Sequence, residues 1–225
     1  MCRDPTHLAV RRSRCVGCHA APLGHQAGVV GDNSAMQFSL FGAEVAEPVP
    51  DDLDGLLLAG GDWVRTGGSA ARLSVLVMEP WRAEALGQEL AARDLSSDTA
   101  DAPGGLIAVR TELTRSLLAH AARWTKGAST RVPADLVLTA GGLRLWAIAS
   151  GRFEEAGYLL LMADPDGPLH RAGGAQLARL GLAAVDIGVR GGPGWRITSA
   201  KRLRRLAELV GAPPPGSDGH WPAPA

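Results

Sequence analysis

Apolar residues recur along the middle of the chain with two different periods, and the alternation of these periods predicts both helices and strands. Helical spacing of apolar residues, opened by Pro80, predicts a helix over residues 80–95. Alternation of apolar and polar residues predicts a strand over residues 71–77. A Thr-Gly-Gly turn at residues 66–68 joins this strand to the one before it. Residues 51–210 can all be divided in this way.

The predicted elements occur twice in the same order, which indicates that the middle of the chain is a duplicated half-domain. Each copy contains a helix, two strands, a second helix, two more strands and a closing helix. The first copy covers residues 51–126 and the second covers residues 135–210. A repeat of this length is too long for a solenoid, so it predicts two halves of one α+β domain.

The two ends of the chain differ in composition from the repeated middle. Residues 1–35 hold all three cysteines and are expected to be a disordered leader, or an over-extended start with Met36 as the initiator. Residues 15–19 match the attachment motif of c-type haem, but no export signal accompanies them. Residues 211–225, rich in Pro and Gly, are predicted to be a disordered tail. A zinc site, whose ligand spacing would be irregular, would draw on Cys2, Cys15, Cys18, His7, His19 and His25.

Charge and cysteine content restrict the classes of function. The chain carries 23 basic and 23 acidic residues, so it is not expected to coat nucleic acid by bulk electrostatics, although a local basic surface remains compatible with this total. No apolar run is long enough to span a membrane, and no secretion signal is visible. Together with a body free of cysteine, this favours the cytoplasm. No Gly-rich phosphate loop or nucleophile elbow occurs, so no cofactor is expected.

A nine-residue motif stands at the head of each copy. Residues 53–61, Leu-Asp-Gly-Leu-Leu-Leu-Ala-Gly-Gly, resemble the motif of LAGLIDADG homing endonucleases at its first, third, fourth, seventh and ninth positions. Residues 143–151, Leu-Arg-Leu-Trp-Ala-Ile-Ala-Ser-Gly, agree at the first, seventh and ninth. The resemblance, which includes non-cutting relatives among bacterial sporulation regulators, implies αββαββα halves related by a pseudo-twofold axis. It also implies two antiparallel sheets that form a saddle over DNA.

The metal-binding positions of that motif are not carboxylates in this chain. The family places its carboxylate at the eighth position, which Gly60 and Ser150 occupy here. Two-metal hydrolysis needs paired carboxylates near the helix ends, so we expect the fold without the cutting chemistry and without a metal. Asp62 and Glu154 follow the motifs and are weak candidates for residual catalysis, against their interpretation as solvated turn residues.

Strand parity predicts which side chains face away from the core. In the strand over residues 71–77, Arg72 and Ser74 face outward. The acids expected on the same polar face are Glu112 and Asp186. The resemblance implies that this face lies on double-stranded DNA, with arginines on phosphates and guanine edges. Ordinary solvated strand faces are the alternative. The arginines assigned to the face are Arg65, Arg72, Arg110, Arg152, Arg190 and Arg196.

Other polar residues receive a structural interpretation. His120 lies among apolar residues of a predicted helix, and His170 follows a turn rather than a metal loop. The basic run Lys-Arg-Leu-Arg-Arg at residues 201–205 is typical of a solvated helix face, although it could hold phosphate.

A short motif before the repeats resembles the peptide with which bacterial proteins bind the replication sliding clamp. Gln37, Ser39, Leu40 and Phe41 fill its fixed positions. Leu40 and Phe41 would be apolar anchors, and a linker rich in Glu and Pro would connect this arm to the domain. An arm that folds back onto the domain is the alternative.

Together these patterns predict a non-catalytic, DNA-associated accessory protein that is recruited to the sliding clamp. Two alternatives remain open: a residual metal-dependent endonuclease, and a protein-interaction module that binds no nucleic acid.

Overall fold

The computed structural model describes residues 47–127, 129–163, 167–188 and 192–222. Among these residues, no helix is long and apolar enough to cross a membrane. The predicted leader, the clamp-binding residues Gln37, Ser39, Leu40 and Phe41, and the candidate DNA contact Arg190 lie outside this part of the chain.

The first half begins with a 3-10 turn at Pro50–Leu53 that leads directly into the first motif helix. Pro80 opens the second helix at a position where its missing N–H has no intrahelical partner to lose. The helices are α1 (Asp54–Leu58), α2 (Pro80–Ala91) and α3 (Leu118–Trp124). The strands are β1 (Asp62–Thr66), β2 (Ala70–Val77), β3 (Ser97–Ala102) and β4 (Leu106–Thr111). A small hairpin, β5 (Thr125–Lys126) and β6 (Ser129–Thr130), follows.

The second half repeats this order of elements. Pro168 opens its second helix as Pro80 does in the first half. The helices are α4 (Ala140–Ser150), α5 (Pro168–Arg179) and α6 (Ala200–Val210). The strands are β7 (Gly151–Glu154), β8 (Gly157–Leu161), β9 (Val185–Asp186) and β10 (Gly194–Ile197).

The two halves have the same sheet topology, which confirms the predicted duplication. The first sheet has the strand order β1-β2-β4-β3, and the second has the order β7-β8-β10-β9. Every pairing is antiparallel. Each half is therefore an αββαββα unit, as the resemblance implies.

The core lies between the sheets and the helices, with the two motif helices at its centre. α1 and α4 bury nearly all their apolar side chains, including Leu56, Leu143 and Trp146. On the inner face of β2, Leu73 and Val75 are buried by parity, as predicted. Burial of large apolar side chains on this scale is the main stabilising contribution to the fold.

Two buried aspartates of the first half attach the start of α1 to other elements. The Asp52 carboxylate accepts hydrogen bonds from the Thr139 hydroxyl at 2.5 Å and from the Arg93 guanidinium at 2.7 and 3.0 Å. The Asp54 carboxylate accepts a hydrogen bond from the indole N–H of Trp124 at 2.5 Å. Because Thr139 is the N-cap of α4, Asp52 couples the starts of the two motif helices. Burial of these two acids was not predicted from the sequence.

The C-terminal segment corrects the prediction of a disordered tail from residue 211. Trp221 is only 6% exposed, and its indole N–H donates to the carbonyl of Gly211 at 2.9 Å. The Arg144 guanidinium lies 5.2 Å from the centre of the Trp221 ring, and His220 lies 5.9 Å from Trp81. Residues 211–222 therefore pack on α2 and α4, because two aromatic side chains anchor a segment that is otherwise rich in Pro and Gly.

Candidate nucleic-acid interface

The two motif helices cross in direct backbone contact. A Cβ atom on Gly55 would overlap the carbonyl oxygen of Gly142, so the helices could not approach this closely with a larger residue at position 55. Gly142 lies one residue before the motif copy predicted at residues 143–151, so the close contact falls outside that copy. The sequence predicts a turn at the Gly141–Gly142 pair, but both residues lie in the first turn of α4, where the Thr139 hydroxyl accepts a hydrogen bond from the amide of Gly142 at 2.8 Å.

The helix ends that carry carboxylates in homing endonucleases have other groups here. Gly60 adopts a positive φ of 100°, and the Ser150 hydroxyl donates to the carbonyl of Leu161 at 2.9 Å. The buried Arg82 guanidinium donates to the carbonyl oxygens of Ile148 and Gly151 at 2.6 and 2.8 Å. A cation therefore occupies the C-terminal end of α4, where its charge is favourable for the helix dipole but unfavourable for a metal ion.

The two weak catalytic candidates belong to different sheets and have separate partners. Asp62 begins β1, where its carboxylate accepts a hydrogen bond from the amide of Trp63 at 2.8 Å. Glu154 ends β7, where both carboxylate oxygens are held by arginines. In the part of the chain that is described, no group of three or more His, Cys, Asp or Glu residues could hold a metal ion.

The outer face of the first sheet carries two of the predicted arginines. Arg72 and Ser74 alternate with the buried residues of β2, which confirms the predicted parity. Arg110 of β4 lies across from Ser74, and Asp98 of β3 lies on its other side. Within the described residues neither Arg72 nor Arg110 forms a salt bridge, so both guanidinium groups can meet an external anion. Asp62, across from Ser74 on β1, reduces the positive charge of this face.

The outer face of the second sheet brings Arg152 and Arg196 together on one carboxylate. Arg152 and Arg196 flank Leu159 on neighbouring strands, and Leu159 is fully buried beneath them. The Arg152 guanidinium donates to one oxygen of Glu154 at 2.8 and 3.1 Å, and Arg196 donates to the other at 2.5 Å. We call Arg152, Glu154 and Arg196 the arginine clamp. Its two cations and one anion leave one net positive charge at a fixed place.

The clamp determines the protonation state of its own carboxylate. Hydrogen bonds from Arg196 and then Arg152 lower the pKa of Glu154, so the carboxylate is ionised at neutral pH. The three side chains are between 25% and 41% exposed, so they remain accessible to a ligand. Side chains held by charge-assisted hydrogen bonds lose less conformational freedom when they bind a phosphate.

Two residues assigned to the polar face lie on the opposite side of their sheets. Arg65 shares its side of β1 with the buried Trp63, and its guanidinium donates to the Thr125 hydroxyl at the end of α3 at 3.0 Å. Asp186 points toward α5, where its carboxylate lies 3.2 Å from Nε2 of the buried His170. The predicted outward positions of Arg65 and Asp186 were therefore wrong.

At Arg65 the assignment did not follow the alternation, which places it on the side of the buried Trp63, whereas at Asp186 the alternation itself failed. Arg65 lies near the exposed end of β1, where a long side chain on the inner side can still reach solvent. The strand β9 has only two residues, and both are exposed, so its hydrophobic pattern does not fix its orientation.

The role of Glu154 within the clamp was missed by the sequence reasoning. One signal was present: Arg152 and Glu154 are two residues apart on one strand and therefore share a face. The pairing of β8 with both β7 and β10, which places Arg196 on the other side of Leu159, follows only from the tertiary structure.

Comparison with known proteins finds similarity at the level of structure. No protein-family model matches the chain, and no curated protein matches it. The structure is similar to full-length DUF199/WhiA from Thermatoga maritima, with a TM-score of 0.51 and 13% sequence identity over 72% of this chain. This chain spans 55% of the length of that protein.

Two further solved structures are matched by this chain over more than 80% of their own length. The N-terminal LAGLIDADG domain of DUF199/WhiA has a TM-score of 0.50 and 15% identity, covering 72% of this chain and 82% of that domain. The homing endonuclease I-WcaI, solved bound to its DNA recognition sequence, has a TM-score of 0.51 and 13% identity, covering 75% and 81%. At these identities the similarity shows the fold: the described residues form a duplicated α+β domain of the LAGLIDADG type.

Proposed function

We propose that this protein is a non-catalytic, DNA-associated accessory protein that contacts the duplex through the outer faces of its two sheets. The observation that carries the proposal is the arginine clamp, in which two half-exposed guanidinium groups are held at a fixed separation on the outer face of the second sheet. Arg72 and Arg110 supply cations on the outer face of the first sheet. A saddle formed by the two sheets, which the family resemblance implies, would bring both sets of arginines to one duplex, and the structurally similar I-WcaI was solved bound to DNA.

The guanidinium groups of the arginine clamp are suited to contact a phosphate backbone. Guanidinium groups donate paired hydrogen bonds to phosphate oxygens, and these contacts position a duplex without reading its sequence. Since the whole chain is neutral, binding would depend on this local surface and not on total charge. We therefore expect moderate affinity that falls steeply as salt increases.

A salt series with a short fluorescent duplex tests the proposal. The wild type is expected to bind, and Arg152→Gln/Arg196→Gln is expected to reduce the slope of log affinity against log salt by nearly two, at about 0.9 per lost phosphate contact. The matched control is Arg115→Gln/Lys126→Gln, which removes the same charge from exposed positions outside the two four-stranded sheets. Absent binding, or binding that does not respond to salt, would remove DNA from the proposal.

The non-catalytic part of the proposal rests on the helix ends. Gly60 and Ser150 cannot replace the paired carboxylates of the motif, and Arg82 occupies the end of α4. Incubation of supercoiled plasmid with Mg²⁺ and wild-type protein is expected to leave the plasmid intact. Nicking by the wild type that is lost in Asp62→Asn would establish the residual endonuclease instead.

Recruitment to the replication sliding clamp is a separate part of the proposal and rests on the motif at Gln37, Ser39, Leu40 and Phe41. We expect the wild type to retain purified sliding clamp in a pulldown, because Leu40 and Phe41 can fill an apolar pocket. The double variant Leu40→Ala/Phe41→Ala is expected to lose it. Equal recovery by both proteins would contradict recruitment through this motif.

A protein-interaction role is the second candidate, and a specific observation favours it. Leu76 on the outer face of β2 is 52% exposed, and Met78, just beyond the strand, is 69% exposed. Val64 lies nearby on β1 and is 40% exposed. Apolar side chains on an exposed strand face are typical of a protein contact as well as of close approach to DNA. Loss of a captured protein in Leu76→Ser, with DNA affinity unchanged, would favour this candidate.

A further inference from the structure

The basic side of α6 is the surface that the proposed function leaves unexplained. α6 packs its apolar side on the core through Leu206 and Val210. Its other side carries Lys201, Arg202, Arg204 and Arg205, with Glu208 one turn further on. A single helical face with four cations in five residues is concentrated positive charge in a protein that is neutral as a whole.

These side chains surround a concave surface. A cavity of about 480 Å³ is lined by the four basic residues and Glu208, together with Ser199 and Gly181. Gly181 has a positive φ of 78°, and a Cβ atom added there would meet nothing within 4 Å, so the backbone at this side of the cavity is open. We call this surface the α6 groove. It has the room and the basic side chains that an anionic ligand requires.

Three of the four cations of the α6 groove differ from the arginines of the core because they form no salt bridge within the described residues. Arg82, Arg93 and Arg144 each form a salt bridge with a glutamate or aspartate. In the groove, Glu208 pairs with Arg205 at 3.5 Å. Lys201, Arg202 and Arg204 form no salt bridge within the described residues. Unpaired cations grouped around a concavity attract a ligand that carries several negative charges.

The position of the groove in the fold indicates which polyanion it would bind. α6 follows β10 after only Thr198 and Ser199, and β10 carries Arg196 of the arginine clamp. The groove is therefore joined through two residues of chain to the strand that carries Arg196. Residues 201–205 extend over about 6 Å of helix axis, a length that matches neighbouring phosphates of one strand.

The first half offers no counterpart to the α6 groove. Its closing helix α3 carries Arg123 and His120, and both side chains approach the buried carboxylate of Asp54, at 3.0 and 3.6 Å. Those groups are thus used inside the protein. Within the described residues, a closing helix with four cations in five residues occurs in the second half and not in the first.

We infer that the α6 groove is a second phosphate-binding site, which takes the backbone of a DNA duplex where it runs past the second sheet. The inference rests on the proposed function and extends it, because it makes the contact with DNA asymmetric. A duplex bound on both sheet faces gains additional phosphate contacts at one end only.

A pair of charge-matched variants tests the inference in the full chain. Lys201→Gln/Arg204→Gln removes two exposed cations of the groove, and Arg115→Gln/Lys126→Gln removes two exposed cations elsewhere. The groove variant is expected to reduce the slope of log affinity against log salt by nearly two, whereas the control leaves the slope unchanged. Circular dichroism melting curves check that both variants fold, since neither touches the core.

Four outcomes are distinguishable. If both variants weaken binding equally, the effect is long-range electrostatics and the inference is overturned. If the groove variant binds like the wild type while Arg152→Gln/Arg196→Gln does not, the inference is overturned and the proposed function stands. If only the groove variant loses affinity, the groove is supported and the sheet-face site is contradicted. If the wild type binds no duplex, both proposals fall.

A separate competition experiment distinguishes DNA from free phosphate as the ligand of the groove. Competition by millimolar inorganic phosphate as strong as that by duplex would assign the groove to free phosphate and overturn it as a DNA site.

Discussion

At the scale of single residues, Glu154 is the side chain with the greatest influence on the proposed interface. Its carboxylate holds Arg152 and Arg196 in place, but it also neutralises one of their two charges. A phosphate that approaches the clamp is attracted by the arginines and repelled by the glutamate. The two effects can be separated, because glutamine has the same shape without the charge.

We expect Glu154→Gln to bind duplex DNA more tightly than the wild type, by roughly two- to fivefold at low salt. In the wild type, a phosphate must compete with the Glu154 carboxylate for the two arginines, and a half-exposed ion pair contributes up to about 1 kcal/mol. The glutamine variant has no such ion pair to displace. Fluorescence anisotropy with the same duplex measures the change. Weaker binding by Glu154→Gln would mean that positioning of the arginines matters more than their free charge.

The arginine clamp also predicts that the free energy of unfolding depends on pH. The arginines lower the pKa of Glu154 in the folded state, so the ionised carboxylate stabilises the fold above its unfolded pKa. This contribution is lost as the pH falls through the lowered folded pKa. We therefore expect Glu154→Gln to be less stable than the wild type at pH 7 and to approach it below about pH 4. Urea unfolding at several pH values measures this, and a difference that does not vary with pH would contradict it.

At the scale of elements, the crossing of α1 and α4 fixes the positions of both sheets. Gly55 lies against the backbone of Gly142, and each helix leads directly into the first strand of its half. Any change that separates the helices therefore also shifts β1 and β7.

Gly55→Ala is expected to destabilise the protein by about 3 kcal/mol, because its Cβ would overlap backbone rather than a movable side chain. Gly87→Ala in α2 is the matched control. A Cβ there meets only the Ser97 hydroxyl at 3.8 Å, and alanine favours a helix interior more than glycine does. Thermal or urea unfolding measures both variants. Equal stability of Gly55→Ala and Gly87→Ala would contradict the close helix crossing.

The order of elements could be predicted from the sequence, because each element has its own periodicity and the order occurs twice. Hydrophobic alternation also predicted the outward side of Arg72 correctly, since β2 is long and half buried. The start of α4 could not be predicted. A Gly-Gly pair is compatible with a turn and with a close helix contact, and only the tertiary structure places Gly142 against Gly55.

The candidate site was predictable only in its composition. The sequence identifies arginines on strands, but it does not reveal which of them meet. Arg152 and Arg196 come together because both strands pair with β8. Arg65 lies on the inner side of β1 with Trp63, where its guanidinium reaches the Thr125 hydroxyl. Contacts of this kind depend on long-range strand order, which short-range patterns do not determine.

At the scale of the whole molecule, the C-terminal segment is part of the folded unit. Trp221→Ala is expected to lower the free energy of unfolding by about 3 kcal/mol, because it removes a buried ring that packs on the Arg144 guanidinium. Trp221→Phe keeps most of the packing and is expected to cost less. Urea unfolding measures both variants. A midpoint for Trp221→Ala equal to that of the wild type would mean that residues 211–222 do not contribute to cooperative unfolding.

The molecule as a whole combines a fold shared with a DNA-bound homing endonuclease with a cation at the end of α4 and no motif carboxylates. Its net charge of zero conceals two local positive surfaces, the arginine clamp and the α6 groove. This combination is what leads us to propose a protein that holds DNA without cutting it.

Arginine-specific dicarbonyl labelling, read by mass spectrometry with and without duplex DNA, tests DNA binding by the sheet faces most directly. Each arginine serves as its own reference, so differences in intrinsic reactivity cancel. We expect the duplex to protect Arg72, Arg110, Arg152 and Arg196, and to leave the exposed Arg115 as reactive as in the free protein. Unchanged labelling of Arg152 and Arg196 under conditions where the duplex is bound would contradict the central proposal.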